Sequence, residues 1–325
     1  MGKTKYVVFS ALLLAAAGSA VWGPGLLRKE KLPATLQSKP KQIGRMVHIP
    51  GGVFRMGNEL SNDADEQPVH DVFVDSFRMD EHEVTNRQFA RFVAQTNYVT
   101  TAEQRGWSLA FDWDRQEWVR RDGADWRHPG GPGTSLDGRD DYPVVHVSWY
   151  DASAYARWSG KQLPTEAQWE YAARGGLRDA NFPWGSEELI DGNYQANYRQ
   201  HGQPADADGF ATLAPAKSFP PNRFGVHDIS GNVWEWCRDW YDADYYRVCP
   251  AENPSGPDDG QKCVQRGGSF LSPENYRFGH YVSTRSSRRP EETSQHAGFR
   301  CVRPIRSRTA LSGTGRHDLP RSSRY

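Results

Sequence analysis

The chain has 325 residues, enough for one large domain or two ordinary ones. Its 40 basic and 40 acidic residues leave no net charge, which argues against a broad nucleic-acid or membrane-surface footprint. The sequence holds 12 tryptophans and 31 glycines beside a modest aliphatic content. This composition favours a loop-rich fold with an aromatic core over a helical bundle.

The N-terminus has the organisation of a secretory signal peptide. Lys3 and Lys5 precede an apolar stretch at 7–17, and small residues at 18–20 provide a cleavage site. The apolar stretch is short for a bilayer-spanning helix, so no stable membrane span is expected. We predict a signal peptide over 1–20, a linker over 21–44 and export to the periplasm. An uncleaved N-terminal membrane anchor is the alternative.

Export makes the four cysteines available for disulfide bonds. Cys249 and Cys263 flank a loop rich in proline, glycine and aspartate, which favours a bond between them. Cys237 and Cys301 are then left for a second bond. The sequence alone permits three pairings of four cysteines.

The first predicted elements are strands and one helix. Apolar alternation around a Gly-Gly pair predicts a β-hairpin over 46–57, and another strand is expected at 72–79. Thr85 is a suitable N-cap for a helix whose apolar face continues to residue 93. Residues 98–141 show weak periodicity and predict a long loop, a feature that often carries function.

The middle of the chain predicts a short strand at 142–148 and two further helices. Ser148 caps the first helix, which ends near Trp158. The second covers 164–174, where Thr165 and Gln168 have capping-box spacing. Turns predominate from there to residue 238. With no repeat or composition shift after residue 45, we expect one domain at 45–304 and a disordered tail at 305–325.

A polar segment near the C-terminus, residues 266–285, has the character of an active site. A glycine pair at 267–268 permits close backbone approach. Polar groups then recur along the segment at Ser269, Ser272, Glu274, Arg277 and His280. A core strand would not contain so many ionisable residues, so we expect this segment to line a cleft.

Nine motifs in order resemble the formylglycine-generating enzyme family, also called sulfatase-modifying factors, from residue 47 to residue 303. They are Ile49-Pro-Gly-Gly-Val-Phe-Arg-Met-Gly57, Glu83-Val-Thr-Asn86, Trp126-Arg-His-Pro129, Pro143-Val-Val-His-Val-Ser-Trp149, Leu163-Pro-Thr-Glu-Ala-Gln-Trp-Glu-Tyr171, Pro183-Trp-Gly185, Gly231-Asn-Val-Trp-Glu-Trp236, Arg266-Gly-Gly-Ser269 and Gly298-Phe-Arg-Cys301. The resemblance implies a compact α/β domain with little regular secondary structure, distantly similar to C-type lectins. It does not by itself prove an activity.

In that family the glycine pair and serine are followed by two cysteines that bind copper and activate oxygen. Counting three and eight residues from Ser269 leads to Ser272 and Arg277. A neutral hydroxyl is a poor ligand for Cu(I), and a guanidinium repels a cation, so no copper is expected. Family members that lack both cysteines include the exported proteins that mature the pyoverdine chromophore in pseudomonads.

The resemblance also implies two structural calcium sites. The ligands of the first are Asp228, the carbonyls of Gly231 and Val233, and Glu235. The ligands of the second are Asn197, the Tyr198 carbonyl, Asp208 and the Phe210 carbonyl. Carboxylates alternating with carbonyls suit a hard cation. The alternative is that these acids cap turns without a metal.

Glu274 is the leading candidate for a catalytic residue, with Ser272, Arg277 and His280 as candidates beside it. Glu274 and Arg277 also have a simpler interpretation as a surface ion pair. Ser269, Trp107 and Trp113 are candidates for substrate binding. No paired-histidine metal motif, nucleotide-binding loop or nucleophile elbow occurs in the sequence.

These observations favour an exported maturation protein that acts on a peptide-like substrate. The most concrete form of this hypothesis is oxidation of a dihydro-chromophore on a nonribosomal peptide during pyoverdine siderophore biosynthesis, in contact with other periplasmic maturation enzymes. The alternative is a non-catalytic module that binds a peptide or partner. Formylglycine generation on sulfatases is expected least, because the cysteine pair is missing.

Overall fold

The computed structural model describes residues 43–199, 203–272 and 280–305. The predicted signal peptide, residues 21–42 of the predicted linker and residues 306–325 of the predicted tail lie outside this range, as do Glu274 and Arg277. The described residues fall in one compact unit. None of their helices is long and apolar enough to cross a bilayer.

Four α-helices lie within the described residues: α1 (Asn86–Thr96), α2 (Thr101–Arg105), α3 (Trp149–Trp158) and α4 (Glu166–Arg174). Each begins with a complete capping box, in which the N-cap hydroxyl and the side chain three residues later satisfy each other's backbone N–H groups. The N-caps are Thr85, Thr100, Ser148 and Thr165. The helices predicted after Thr85, Ser148 and Thr165 are confirmed.

The strands are short and form several small sheets. They are β1 (Met46–Ile49), β2 (Gly52–Met56), β3 (His70–Val74), β4 (Phe77–Asp80), β5 (Trp107–Asp112), β6 (Glu117–Asp122), β7 (Trp234–Trp240), β8 (Cys263–Arg266), β9 (Arg285–Arg288), β10 (Ala297–Gly298) and β11 (Val302–Pro304). The sheet orders are β1-β4-β11, β10-β7-β8-β9, β2-β3 and β5-β6. This loop-rich α/β architecture confirms the predicted fold class.

The predicted hairpin over 46–57 is wrong. β1 pairs with β4 and β2 pairs with β3, so the two strands enter different sheets. A Cβ on Gly51 would lie 2.9 Å from the backbone nitrogen of Ser76. This close approach passes the chain from one sheet to the other instead of reversing it. The single strand predicted at 72–79 is likewise two strands, β3 and β4, which pair in different sheets.

The segment 98–141 is not the structureless loop that we predicted. It contains α2 and the β5–β6 hairpin, whose second strand is mostly exposed and polar, so no apolar period marks it. Conversely, the strand predicted at 142–148 is wrong. In the described structure it is reduced to an isolated bridge between Pro143 and Thr85.

The core has two clusters, and they explain why neither predicted disulfide forms. All four cysteines are free thiols. Cys237 lies in the first cluster and Cys249 packs against it. Cys263 and Cys301 lie in the second cluster. Each predicted pair, Cys249–Cys263 and Cys237–Cys301, is therefore divided between the two clusters, and both predictions are wrong.

Candidate functional site

The polar segment is the connection between β8 and β9, and the two strands hold its ends together. Arg266, the last residue of β8, pairs with Arg285, the first residue of β9. We refer to the connection at 267–284 as the site loop. Its residues 273–279 lie outside the described range. Pairing of the two arginines fixes where the site loop leaves and re-enters the sheet.

Buried ion pairs with α4 secure both ends of the site loop. The Arg285 guanidinium donates to both oxygens of Glu166, at 2.7 and 3.0 Å. The Arg266 guanidinium donates to Glu166 at 3.2 Å and to Glu170 at 2.5 Å. Glu166, Glu170 and Arg174 lie on one face of α4 because they are spaced by four residues. These side chains are almost fully buried.

The acids in and beside this cluster have pKa values that are shifted in opposite directions. Burial opposes ionisation of Glu170, but the guanidiniums of Arg174 and Arg266 outweigh it and lower the pKa of this carboxyl. Two further acids sit at the margin of the cluster. Burial raises the pKa of Glu66 to about 7, and burial together with the charge of Glu166 raises the pKa of Asp239 to about 8.

Arg266 also holds the returning half of the site loop. Its guanidinium donates to the carbonyls of Val282 and Ser283, each at 2.8 Å. One arginine therefore connects α4 with both halves of the site loop. Its own Nε is buried without a hydrogen-bond partner among the described residues.

Two glycines allow the base of the site loop to pack against a neighbouring turn. Gly231 donates its N–H to the Gly267 carbonyl at 2.7 Å. A Cβ at Gly231 would lie 2.3 Å from the Asn197 carbonyl oxygen, and Gly231 has a φ of 77°. Gly267, with a φ of 98°, lies against Trp169. Only glycine satisfies both the space and the left-handed backbone at position 231.

The two predicted serines form a tight turn. The Ser272 hydroxyl accepts the Ser269 N–H at 3.1 Å, and the Ser272 N–H donates to the Ser269 carbonyl at 2.9 Å. The Ser269 hydroxyl accepts the N–H of Leu271 at 3.2 Å. Both serines are buried. Their hydroxyls shape the first turn of the site loop.

His280 lies in a stack of aromatic rings. It stacks on Tyr198 with ring centroids 4.0 Å apart and on Phe182 at 5.4 Å, and Trp184 stacks on the far side of Phe182. Burial lowers the pKa of His280 to about 3, so the imidazole is neutral. Its Nε2 has no hydrogen-bond partner among the described residues and faces Glu188 at 3.8 Å.

The predicted groove tryptophans are carried by the β5–β6 hairpin. Trp107 is held between the guanidiniums of Arg105 and Arg120, at 4.1 and 4.9 Å from its ring centroid. Trp113, at the hairpin turn, contacts the guanidinium of Arg199 at 4.8 Å. Arg199 directly follows Tyr198, so the hairpin turn reaches the part of the chain that packs on His280. The contacts of Trp107 with Arg105 and Arg120 lie away from Tyr198 and His280 in the described structure.

The second predicted calcium cluster is brought together by Asp208. One carboxylate oxygen accepts the Tyr198 N–H at 2.8 Å, and the other accepts the Phe210 N–H at 2.9 Å. Burial raises the pKa of Asp208. The side chain of Asn197 donates to the Thr212 carbonyl at 2.9 Å, which leaves its amide oxygen as the available ligand atom.

The first predicted calcium cluster contains both a satisfied and an unsatisfied carboxylate. Arg300 donates to the two oxygens of Glu235 at 2.7 Å each, and the Trp169 indole donates to it at 2.9 Å. One oxygen of Asp228 accepts the Lys217 N–H, while its Oδ1 is buried without a partner among the described residues. An orphaned carboxylate oxygen at this point fits a cation.

Sequence reasoning missed Glu83, a fully buried acid in the same region. Its Oε1 accepts the side-chain amide of Asn232 at 2.9 Å, and its Oε2 has no partner among the described residues. Burial and the nearby charge of Asp228 raise the pKa of Glu83. The family motif that begins at Glu83 could have drawn attention to this residue. Nothing in that motif indicated that Glu83 lies close to Asp228, which is 145 positions later in the chain.

Asn232 was also missed, and it connects the site loop to the calcium clusters. Its backbone N–H donates to the Asn197 carbonyl at 2.7 Å, and its carbonyl accepts the Phe270 N–H at 3.0 Å. Its side chain bonds Glu83 and, at 3.0 and 3.3 Å, the backbone of Ala214. Within the described ranges, no three His, Cys, Asp or Glu side chains converge as a metal-ligand set. The predicted calcium sites depend mainly on carbonyl and amide oxygens instead.

Comparison with known proteins identifies close relatives. The family model described as a sulfatase-modifying factor enzyme 1-like domain matches residues 32–305. The formylglycine-generating enzyme of Thermomonospora curvata is 44% identical over 287 residues, covering 81% of this chain and 95% of the relative. The inactive C-alpha-formylglycine-generating enzyme 2 of Mus musculus is 38% identical over 312 residues, covering 87% of this chain and 96% of the relative.

Solved structures agree with this result. PvdO from Pseudomonas aeruginosa superposes with a TM-score of 0.62 at 26% identity, over 81% of this chain and 95% of that one. Variable protein 1 of Treponema denticola superposes with a TM-score of 0.57 at 21% identity, over 80% of this chain and 95% of that one. The second similarity concerns the fold alone.

Proposed function

This chain belongs to the sulfatase-modifying factor enzyme 1-like domain family, and from that premise we propose that it is an exported maturation protein for a peptide-like substrate. The site loop is the observation that carries the proposal. Its frame of paired arginines, glycines and a serine turn is complete. At the two positions where the resemblance places copper-binding cysteines, however, the chain has Ser272 and Arg277.

A copper–dicysteine centre does not fit the residues present. The Ser272 hydroxyl is neutral and already accepts a backbone N–H within the turn. Of the four cysteines, Cys237, Cys263 and Cys301 are buried in the core clusters and Cys249 packs against one of them. Burial raises the pKa of all four thiols, so none is prepared as a thiolate.

The finer proposal is oxidation of a dihydro-chromophore on a nonribosomal peptide in pyoverdine maturation. Two electrons and two protons leave the substrate as its new double bond forms, and dioxygen accepts them to give hydrogen peroxide. The structural similarity to PvdO supports this member of the family. The close relatives named formylglycine-generating enzyme support the coarser role, which is modification of a peptide chain.

Within the site loop we assign proton transfer to Glu274. It follows the serine turn by two residues, and it is the carboxylate of the segment between residues 272 and 280. Arg277 would orient the acceptor or the anionic part of the substrate. Buried, neutral His280 is suited to shaping the wall of the site, because an imidazole with a lowered pKa does not take up a proton near neutral pH.

The substrate would lie over the serine turn and extend toward the β5–β6 hairpin. Ser269 and Ser272 set the floor through their mutual hydrogen bonds. Trp113, at the hairpin turn beside Arg199, offers an aromatic face and a cation to a peptide-linked chromophore. Trp107 would support the hairpin from its position between two guanidiniums.

We also propose that calcium stabilises the loops behind the site. Asp228 and Glu83 each present a buried, unpartnered carboxylate oxygen. Asp228, the Gly231 and Val233 carbonyls and the remaining lone pair of Glu235 would hold one ion, and the cluster around Asp208 a second. A bound ion neutralises these acids and fixes turns that have no regular ladder. It supplies structure and takes no part in the oxidation.

The second candidate function is binding without turnover. The support is the 38% identity with a relative named inactive C-alpha-formylglycine-generating enzyme 2. The engaged serine hydroxyls and the neutral His280 are also compatible with a groove that holds a peptide and does not change it.

Turnover by the purified protein tests the proposal. The protein is mixed with the dihydro-chromophore peptide in air, under argon, with chelator and with added copper, and the product is followed by mass spectrometry. We expect loss of two hydrogens in air with or without copper. Glu274→Gln should abolish turnover while Glu252→Gln, a change at an exposed residue, should not. Binding without mass change under every condition would favour the second candidate, and full activity of Glu274→Gln would contradict the assigned role.

A further inference from the structure

A groove lies between α4 and β2 of the small β2–β3 sheet, next to the buried ion pairs of the site loop, because Arg174 belongs to both. The cavity has a volume of about 330 Å³. One wall is formed by residues 53–55 of β2 and by Asp71 of β3. The other is formed by Tyr171 and Arg174 of α4 and by the turn at 176–179. We refer to this cavity as the edge groove.

Backbone pairing shows which edge of β2 faces outward. On the other strand of the ribbon, Phe73 directs its N–H to the Ala251 carbonyl at 2.7 Å, and its carbonyl accepts the Asn253 N–H at 2.8 Å. Both bonds point away from β2. Because hydrogen-bonded and non-hydrogen-bonded pairs alternate in an antiparallel ladder, the pair Val53–Phe73 is a non-hydrogen-bonded one.

The backbone groups of Val53 must therefore point out of the ribbon. The pair Arg55–Asp71 lies two residues along the ladder, so the groups of Arg55 do the same. Within residues 43–199, 203–272 and 280–305, no backbone partner is found for them, and β2 has no second strand partner. β2 thus presents two N–H donors and two carbonyl acceptors along the edge groove.

Such an edge is a template for another strand. We propose that the edge groove binds an extended peptide segment of a partner protein, which adds to β2 as an antiparallel strand. Pairing with Val53 and Arg55 would make four backbone hydrogen bonds. The proposal does not depend on the chemistry assigned to the site loop.

Side chains around the edge groove define the peptide. Phe54 points inward, where its ring packs on Tyr171 with centroids 5.3 Å apart, and Leu177 lines the same cavity. A peptide residue opposite Phe54 would place its side chain on this apolar floor. Apolar character is therefore expected at that position.

The preceding peptide residue, which lies opposite Arg55 because the added strand runs antiparallel to β2, should be acidic. The Arg55 guanidinium reaches across the edge groove to Asp179 at 3.0 Å and to Glu59 at 2.6 Å. The side chains of these two acids are 57% and 66% exposed, so both contacts are open to solvent and readily exchanged. A carboxylate on the paired strand would lie on the same face as Arg55 and take their place.

Arg55 also controls the length of the groove. A second cavity of about 220 Å³ shares Arg55, Arg174 and Asp179 with the first and continues past Asn58 to Ser283. The Arg55–Asp179 bridge separates the two cavities. An occupant that draws Arg55 toward its own carboxylate would join them, and the longer groove would then accept residues on both sides of the acidic–apolar pair.

A display library of random eight-residue peptides tests the proposal with the full chain. We expect enrichment of an acidic residue followed directly by an apolar one, and the synthesised winner should bind with a Kd below about 100 µM. Val53→Pro removes an outward N–H without touching the β2–β3 ladder, and proline is tolerated on an edge strand. It should weaken binding at least tenfold. Val53→Thr keeps the backbone donor and should bind as the wild type does.

The peptide offers an independent arm if Val53→Pro fails to fold. Methylation of either of the two peptide nitrogens that donate to β2 should weaken binding of the peptide to the wild-type chain by a similar factor. The proposal is overturned if no peptide binds below that concentration, or if Val53→Pro and the methylated peptide both bind normally. It is also overturned if the wild type dimerises through this edge and Val53→Pro is monomeric, because the occupant would then be a second copy of the chain.

Discussion

Removal of one buried guanidinium should destabilise the whole frame of the site loop. Arg266→Met keeps most of the side-chain volume but deletes the charge that Glu166 and Glu170 share. It also deletes the two hydrogen bonds to the carbonyls of Val282 and Ser283. Water cannot replace the guanidinium as donor to these four acceptors, because the Arg266 side chain is fully buried.

The magnitude follows from the kind of contact that is lost. Breaking a buried ion pair by removing one partner costs about 3–5 kcal/mol, mainly because a charge is left without compensation. Arg285 and Arg174 still pair with Glu166 and Glu170, which places the expected loss near the lower end of that range. For a domain of this size, a loss of 3 kcal/mol corresponds to a fall in Tm of roughly 6–12 °C.

Urea unfolding followed by circular dichroism, with calorimetry for Tm, measures this loss. Arg247→Met is the matched control, because the Arg247 side chain is 62% exposed and its salt bridge to Asp244 is at the surface. The control should lose less than about 1 kcal/mol. If Arg266→Met were as stable as Arg247→Met, the buried ion pairs would not be what holds the site loop.

Three further predictions concern the surroundings of the site loop. Burial raises the pKa of Asp239 from 3.8 to about 8, so its contribution to stability is present below pH ~4 and is lost as the pH rises toward about 8. In urea unfolding at about pH 5, 7 and 9, Asp239→Asn should show a smaller decrease in the free energy of unfolding with rising pH than the wild type does. The same pH dependence in both proteins would contradict the burial argument. Gly231→Ala should lower the free energy of unfolding by at least about 2 kcal/mol, because its Cβ would meet the Asn197 carbonyl. Gly133→Ala, where the space is open, should lower it by about 1 kcal/mol. Equal losses in the two variants would contradict the packing argument. Calcium at a hundred times its Kd should stabilise the wild type by about 2.7 kcal/mol, and Asp228→Asn should lose most of this gain over chelator; a wild type that does not respond would remove the calcium proposal.

Local signals in the sequence predicted the helices well. A Ser or Thr with a suitable residue three positions later identifies a helix N-terminus through contacts confined to one turn. Thr85, Ser148 and Thr165 all have complete capping boxes. The family motifs likewise predicted the fold class. The serine turn at the base of the site loop begins at Ser269, the last residue of one of them.

Contacts between distant residues could not be predicted in the same way. Two glycines beside β1 looked like a hairpin turn, but Gly51 passes the chain to another sheet because it packs against a residue 25 positions away. Cysteines close in sequence proved to lie in different core clusters. The approach of Glu83 to Asp228 and the frame made by Arg266 and Arg285 depend on tertiary packing, which no local pattern records.

The most direct test of the proposed function is maturation in cells whose own copy of the gene has been deleted. Secreted peptide metabolites are compared by mass spectrometry after the deletion is complemented with the wild type or with Glu274→Ala. The wild type should restore a product lighter than its precursor by two hydrogens, and Glu274→Ala should leave the precursor although the protein is present and folded. Normal product from Glu274→Ala, or no mass difference on deletion, would contradict an oxidative role for the site loop.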